Sequence, residues 1–295
     1  MRVNPNLTNE MLSGISLNRH QSDEAINELS TGRKVNKPSD DPAAVASLIL
    51  NKSRSGQVNS YLSNVSCLQS IMQVASSTLG SVVSALSKAS SLAVQGANGT
   101  LNQSDREAIA EEVDGIRQEV LSYANESFQG NYLFAGTAVN TQPFVPDPAS
   151  SSGVSYKGND GVSNVDIGSG QTVPANLPGS QIFTSSTANV FQALTDLSDA
   201  LRSGSGIKDA GTEVQHAFNY VNTQNTFYGT TMSRLETAQT FLNEENVQLS
   251  ETDNNLAAAD MATAATQMTQ AEVALEATLA AGSKIASLNL FDYLK

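Results

Sequence analysis

The feature that most constrains this chain is an apolar residue at every seventh position, in two long series far apart in the sequence. With further apolar residues three or four positions away, such a series forms one face of a long α-helix that packs against another helix. The series are Val58, Val65, Met72, Leu79, Leu86 and Ala93, with Leu62, Leu68, Ala75, Val82 and Ala89 interleaved, and Val214, Val221, Tyr228, Leu235, Leu242, Leu249 and Leu256. We therefore expect a mainly α protein, in which the N- and C-terminal halves form a long antiparallel helical bundle or coiled coil.

A third helix is expected between the two series. Ser104 and Glu107 have the spacing of a capping box, and apolar residues follow at helical spacing from Ile109 to Val120. The stretch "GANG" at Gly96–Gly99 ends the preceding helix. These signals predict two antiparallel helices joined by a short turn.

The stretch 139–185 differs in kind from the rest of the chain. It holds five of the eight prolines, many glycines and the short β-type runs "VSY" and "VSNVDI". Its "GSG" at Gly168–Gly170 is typical of a hairpin turn. We expect a small β-rich domain inserted between helices.

Apolar stripes also occur at both ends of the chain. Leu12, Ile15, Ile26 and Leu29 occupy heptad positions near the N-terminus, although polar residues interrupt the stripe. A C-terminal stripe is displaced by five residues from the Leu256 series and contains Met261, Ala264, Met268, Ala271, Leu275, Gly282, Ile285 and Leu288. A slip of five residues breaks the heptad register, which predicts a structural boundary near residues 250–260.

Charge suggests that the two ends pair. Residues 235–283 contain eight carboxylates and no Lys or Arg, whereas residues 1–54 contain seven basic groups and six acidic ones. Both terminal stripes are rich in Ala, Ser and Thr, so they bury little apolar area. The free energy gained from this burial is too small to offset the conformational entropy that is lost when the segments become ordered. We expect residues 1–42 to pair with 253–295 as a domain that is disordered in the monomer and folds on assembly. Residues 43–138 with 186–252 would form the bundle core, and 139–185 the outer domain.

Several functional classes find no support in the sequence. The net charge of −13 opposes nucleic-acid binding. No apolar run is long enough for a membrane span, and the N-terminus lacks the pattern of a cleavable signal. His20 and His216 have no metal-ligand spacing to other residues. We predict no catalytic, cofactor-binding or metal-binding residue, and therefore no enzyme.

The stretch "LSTGRKVNKPSDDPAAVA", residues 29–46, lies between two helical patterns and carries Arg33, Lys34, Asp40 and Asp41. No histidine, metal cluster or glycine cradle accompanies these charges. Gly32 has the position of a C-terminal cap, and Asp41 followed by Pro42 is typical of a helix start. We interpret the stretch as a joint between helices.

Three stretches together resemble the flagellin superfamily of bacterial axial proteins. They are this joint, "NESFQGNYLFAGT" at 125–137, and "ASLNLFDYLK" at 286–295. The second and third are most similar to the hook-associated protein 3 branch, and the proline of "SDDPAAVA" stands where filament flagellins more often have alanine. The resemblance covers nearly the whole chain outside the variable insertion.

The resemblance implies an extracellular structural subunit of the flagellum, which joins hook-associated protein 1 to the flagellin filament and forms a ring-like homo-oligomer. It also implies export by the flagellar type III apparatus without cleavage, helped by a cytoplasmic chaperone, and an inner tube formed by the terminal helices. Arg33, Lys34, Asp40 and Asp41 would connect domains and contact neighbouring subunits. The implied interface or terminal coiled-coil residues are Leu7, Leu12, Ile15, Ile26, Leu29, Met261, Met268, Leu275, Ile285, Leu288, Phe291 and Leu294. A filament-forming flagellin and an unrelated cytosolic coiled-coil scaffold remain as alternatives.

Overall fold

The computed structural model describes the backbone of residues 5–293 and the side chains of residues 9–284. The helices are α1 (Pro5–Thr31), α2 (Pro42–Gly96), α3 (Gln103–Ala124), α4 (Gly179–Phe183), α5 (Val190–Ser203), α6 (Ile207–Ala257) and α7 (Met261–Tyr293). The strands are β1 (Ser127–Phe128), β2 (Asn131–Tyr132), β3 (Phe144–Pro146), β4 (Val154–Tyr156), β5 (Asn164–Gly168) and β6 (Gln171–Pro174). This confirms a mainly helical fold with a small strand-bearing part. The predicted boundary near 250–260 is the break between α6 and α7.

Contacts divide the chain into two compact units. Unit 1 consists of Met1–Gln57 with Glu245–Lys295, and unit 2 is Val58–Glu244. Each of the helices α2 and α6 lies partly in unit 1 and partly in unit 2. Among the described side chains, the largest that are fully buried all lie in unit 2, and they include Phe134, Met72 and Leu79.

The two seven-residue series form the core of unit 2. Every member from Val58 to Ala93 is at most 3% exposed, and those from Val214 to Leu242 are at most 2% exposed. The antiparallel direction of the two helices follows from polar contacts beside this core. Gln69 Nε2 donates to Gln239 Oε1 at 3.2 Å, and Ser90 Oγ donates to Gln215 Oε1 at 3.0 Å. The residues at heptad positions are therefore the ones that pack in the core of unit 2, as their spacing predicts.

The start of α3 differs from the prediction. A capping box is present, but Asn102 Oδ1 accepts the Asp105 backbone N–H at 2.8 Å and Asp105 Oδ2 accepts the Asn102 backbone N–H at 3.3 Å. The predicted box of Ser104 and Glu107 is wrong because the helix already starts at Gln103. Ser104 then lies inside the first turn, where its side chain cannot take the capping position.

The strands pair as three antiparallel hairpins, β1 with β2, β3 with β4 and β5 with β6. The first hairpin turns at Gln129 and Gly130, which both have positive φ, of 52° and 83°. That geometry fits a tight two-residue connection. The hairpin predicted at "GSG" is confirmed, with Gly170 at φ 70° between β5 and β6.

A cluster of aromatic rings joins the hairpins to the helices of unit 2. The ring of Phe144 lies 5.4 Å from that of Phe183 and 5.3 Å from that of Phe191. Phe134 packs edge-on against Phe183 at 5.4 Å. The Asn125 side chain pairs with the Phe144 backbone, since its Nδ2 donates to the carbonyl at 2.8 Å and its Oδ1 accepts the N–H at 2.9 Å. The motif at 125–137 therefore has a packing role.

Candidate interaction surface

The joint after α1 begins with a glycine cap. Gly32 has a φ of 69°, a conformation that glycine adopts without a steric penalty, and its N–H donates to the Glu28 carbonyl at 2.8 Å. The helix therefore ends where the sequence predicts, and the chain leaves the α1 axis at this point.

Asp41 caps the N-terminus of α2. Its Oδ1 accepts the backbone N–H of Ala43 at 3.0 Å and that of Ala44 at 2.9 Å. Pro42 occupies the first helical position, where a missing N–H costs nothing. The predicted cap is confirmed.

Asp40 fixes the turn inside the joint. Its Oδ2 accepts the backbone N–H of Asn36 at 2.9 Å and that of Lys37 at 2.8 Å. These two hydrogen bonds stabilise the ionised carboxylate and lower the pKa of Asp40 from its ordinary value. The two adjacent aspartates thus have separate roles, because Asp40 stabilises the turn before α2 and Asp41 caps the helix itself.

The joint also pairs with the break between α6 and α7. The Lys34 N–H donates to the Ala257 carbonyl at 2.7 Å, and the Ala259 N–H donates to the Gly32 carbonyl at 2.9 Å. The Arg33 guanidinium lies 3.4 Å from an Asp253 carboxylate oxygen. Two irregular segments far apart in sequence therefore satisfy each other's backbone groups.

A second ion pair joins the two chain segments of unit 1. Arg54 Nε lies 2.6 Å from Glu245 Oε1, and the nearby Asn51 side chain donates to the Leu249 carbonyl at 2.8 Å. This is the pairing of N-terminal basic groups with C-terminal carboxylates that the charge distribution indicates. Partly exposed pairs of this kind contribute about 0.2 to 1 kcal/mol each, so they mainly fix register.

α1 packs antiparallel along α7. The residues that face inward repeat at three and four positions on both helices, and we call this set the terminal seam. It comprises Met11, Ile15, Asn18, Ser22, Ala25 and Leu29 of α1, and Ala264, Met268, Ala271, Leu275, Thr278 and Gly282 of α7. Asn18 Nδ2 donates to Thr278 Oγ1 at 3.4 Å across the seam. Met11 lies against Gly282, where no larger side chain would fit without a shift.

The predicted interface residues fall into three groups. Ile15, Leu29, Met268 and Leu275 are half-buried in the terminal seam. Leu12, Ile26 and Met261 are 57%, 47% and 48% exposed, so they lie outside it. The side chains of Leu7, Ile285, Leu288 and Phe291 lie outside the described range, and Leu294 lies outside the described residues altogether.

The seam on α1 falls one residue before the predicted stripe at two positions. Met11 and Ala25 are turned inward in place of Leu12 and Ile26. Of the polar residues that interrupt the predicted stripe, Arg19 is exposed but Ser22 belongs to the seam itself, and so does Asn18. The signal that could have located it is the seven-residue spacing from Met11 through Asn18 to Ala25, which small and polar residues conceal.

Exposed apolar side chains concentrate in unit 1. Of the thirteen large apolar side chains that are exposed among the described residues, nine belong to unit 1, although its share of the chain is the smaller. They are Leu12, Leu17, Ile26, Ile49, Leu50, Val247, Met261, Val273 and Leu279. Exposed apolar side chains are therefore distributed unevenly between the two units.

A groove of about 700 Å³ lies beside the joint, within unit 1. Its apolar lining includes Leu48, Ile49 and Leu249, and its charged lining includes the cations Arg33 and Lys37. We call it the joint groove. Among the described residues, no group of three or more His, Cys, Asp or Glu side chains could hold a metal ion. A helix long and apolar enough to cross a bilayer is also missing from the described part of the chain.

Comparisons with known proteins agree with this architecture. The family model of the bacterial flagellin N-terminal helical region matches residues 3–139, and that of the flagellin C-terminal helical region matches residues 212–294. Flagellar hook-associated protein 3 of Salmonella typhimurium is 29% identical over 64% of this chain and 59% of its own length. The protein of the same name from Escherichia coli is 24% identical over 91% of each chain.

Solved structures share the fold. Hook-associated protein 3 of Legionella pneumophila superposes with a TM-score of 0.63 at 15% identity, covering 70% of this chain and 98% of that one. Flagellins are also among the curated relatives. These relatives are structural proteins of the flagellum and not enzymes. The chain belongs to the bacterial flagellin family and is a structural component of the flagellum.

Proposed function

We propose that this chain is the adaptor of the hook–filament junction. It would join hook-associated protein 1 at the hook end to the first flagellin subunits, as a ring-like homo-oligomer. The similarity to hook-associated protein 3 of Escherichia coli supports this role because it extends over 91% of this chain and 91% of that protein. An adaptor must present different partners at its two faces, unlike a subunit that repeats one contact.

The observation that carries the proposal is the contrast between the two units. Unit 2 holds the large fully buried side chains, whereas unit 1 holds most of the exposed apolar ones. In the terminal seam the buried side chains are as small as Ala25, Ala264 and Ala271. A helix pair that buries little apolar area against itself needs neighbouring subunits to cover the rest.

We also propose a position in the assembly for each segment of the chain. Residues 1–42 with 253–295 would line an inner tube and become ordered on assembly, while 43–138 with 186–252 form the bundle core. Residues 139–185 would face outward. The exposed Leu12, Ile26 and Met261 are free to contact neighbouring subunits, as are the outward parts of Lys34 and Asp40. Ile15, Leu29, Met268 and Leu275 would act indirectly, by holding the terminal seam.

We further propose that the chain is exported by the flagellar type III apparatus and acts outside the cell. A small terminal seam suits this route, because helices that are weakly held can be kept apart by a cytoplasmic chaperone and threaded through a narrow channel. Truncating residues 286–295 should then reduce chaperone binding or assembly more than it lowers the melting temperature of unit 2.

A deletion strain tests the adaptor role. Loss of the gene should leave intact hooks without filaments, and flagellin should appear in the culture medium. The wild-type gene on a plasmid serves as the control and should restore filaments. A deletion strain that still carries filaments of normal length would contradict the proposal.

The alternative is a filament-forming flagellin, which the two flagellin family models and the flagellin relatives favour. The two functions differ in self-association. An adaptor should stop at a ring or remain monomeric when purified, whereas a flagellin should polymerise. Electron microscopy of the purified protein under polymerising conditions decides between them, and long filaments would establish the alternative.

A further inference from the structure

The joint groove combines an apolar lining with an excess of positive charge. Arg33, Lys37 and Lys52 line it, and Asp253 is the one carboxylate among the lining residues. Arg33 is paired with Asp253, so the two lysines carry the excess. Within residues 9–284, Lys52 forms no ion pair.

The apolar part of the groove is open to solvent. Ile49 is 63% exposed, whereas Leu48 beside it is 9% exposed and anchors the helix in its own core. A groove lined by apolar and cationic side chains fits an apolar side chain that has carboxylates next to it. The occupant should therefore be an acidic helix face with an apolar residue at its centre.

α7 carries such a face on the side opposite the terminal seam. Val273 is 61% exposed, and the exposed Glu272 and Glu276 lie one turn apart from each other along one side of it. Thr269 and Ala280 continue the same exposed stripe, and such small residues allow another surface to approach closely. Residues 235–283 contain no Lys or Arg, and the first cation after them on this side of α7 is Lys284, three turns beyond Val273.

We propose that the joint groove binds the Val273 face of α7 from a second copy of this chain, with Val273 against Ile49 and the two glutamates near Lys37 and Lys52. The proposal rests on the proposed assembly into a ring and specifies one of its contacts. Because each copy carries both a groove and an acidic face, the contact is heterologous and can close a ring.

Cysteine pairs test the contact in assembled flagella. Two versions of the chain, both with Cys67→Ser, are expressed together in the deletion strain, one with Ile49→Cys and the other with Val273→Cys. Mild oxidation of isolated flagella should give a disulfide-linked dimer only when both are present. Val94→Cys replaces Ile49→Cys in the control, since Val94 is 75% exposed on the same helix but belongs to unit 2.

Charge reversal gives a second test. Lys52→Glu in the Ile49→Cys version should reduce the yield of the cross-link several-fold, and Glu276→Lys added to the Val273→Cys version, which supplies the acidic face, should restore most of it. Lys157→Glu makes the same charge change on an exposed lysine of unit 2 and should have no effect.

Several outcomes would overturn the inference. They are filaments that form normally without the dimer, a dimer equally abundant with Val94→Cys, and an Ile49→Cys cross-link to a different flagellar protein. In each case filaments still depend on the chain, so the groove assignment fails while the adaptor role stands. Failure of the adaptor role is recognised separately, by filaments that persist in the deletion strain.

Discussion

Shortening Leu79 to alanine should destabilise unit 2 by about 3 kcal/mol. Leu79 is 0% exposed at the centre of the first heptad series. The change removes three carbon groups, each contributing about 0.8 kcal/mol when buried, and leaves a cavity that the long helices cannot collapse to fill. The matched control is Leu50→Ala on the same helix, where the side chain is 72% exposed and the change should cost less than about 0.5 kcal/mol.

Urea unfolding followed by far-UV circular dichroism measures both variants. With a urea slope of about 2 kcal/mol per molar, Leu79→Ala should lower the midpoint by roughly 1 to 2 M with little change in slope. The midpoint of Leu50→Ala should stay near that of the wild type. Equal midpoints for the two variants, or a loss below about 1 kcal/mol for Leu79→Ala, would refute the assignment of the heptad series as the core.

Three further changes probe the turns and caps. Asp41→Ala should reduce the stability of the start of α2 by about 1 kcal/mol. The two backbone amides that donate hydrogen bonds to Asp41 should then exchange faster, and unchanged exchange would contradict the role of Asp41 as the cap. Gly136→Ala should destabilise unit 2 by more than about 1 kcal/mol in thermal unfolding, because φ is 70° and a Cβ would lie 2.0 Å from the Asn159 carbonyl oxygen; a neutral effect would refute this geometry. Hydrogen bonds from Thr263 and neighbouring amides lower the pKa of Asp260 below 3.8, so the capping contribution is present above that value and is lost as pH falls through the folded pKa. In isolated flagella, the protection of the amides at the start of α7, relative to their intrinsic exchange rate at each pH, should fall over this range in the wild type and much less in Asp260→Asn, whose side chain does not titrate.

The long helices were predictable because their signal is local and repeated. Large apolar residues such as Met72 and Leu235 mark the buried face unambiguously, and the caps at Gly32 and Asp41 follow from rules that involve adjacent residues only. The break after Ala257 was visible as a change of register.

The terminal seam was harder to place because its residues carry little hydrophobic signal. Asn18, Ser22 and Ala25 face inward, whereas the more apolar Leu12 and Ile26 face outward. Periodicity locates the apolar residues of a helix. In a protein that assembles, some of these residues contact other subunits and do not pack inside the single chain. The position of the stripe is then set by which side chains are small enough for two helices to approach.

The joint groove could not be read from the sequence. Its lining comes from the joint, from α2 and from α6, including Lys37, Lys52 and Leu249. These segments meet because backbone hydrogen bonds join the joint to the break after α6, and because Asn51 and Arg54 join α2 to α6. A site made from distant segments has no spacing rule, so only the folded chain reveals it.

We propose that neighbouring subunits complete unit 1, whereas unit 2 is stable by itself. Hydrogen exchange followed by mass spectrometry, on the free monomer and on isolated flagella, tests it most directly. Peptides from residues 9–40 and 255–284 should exchange rapidly in the monomer and become protected in flagella, whereas the heptad core of unit 2 should be protected in both. Strong protection of both terminal segments in a monodisperse monomer would contradict the claim.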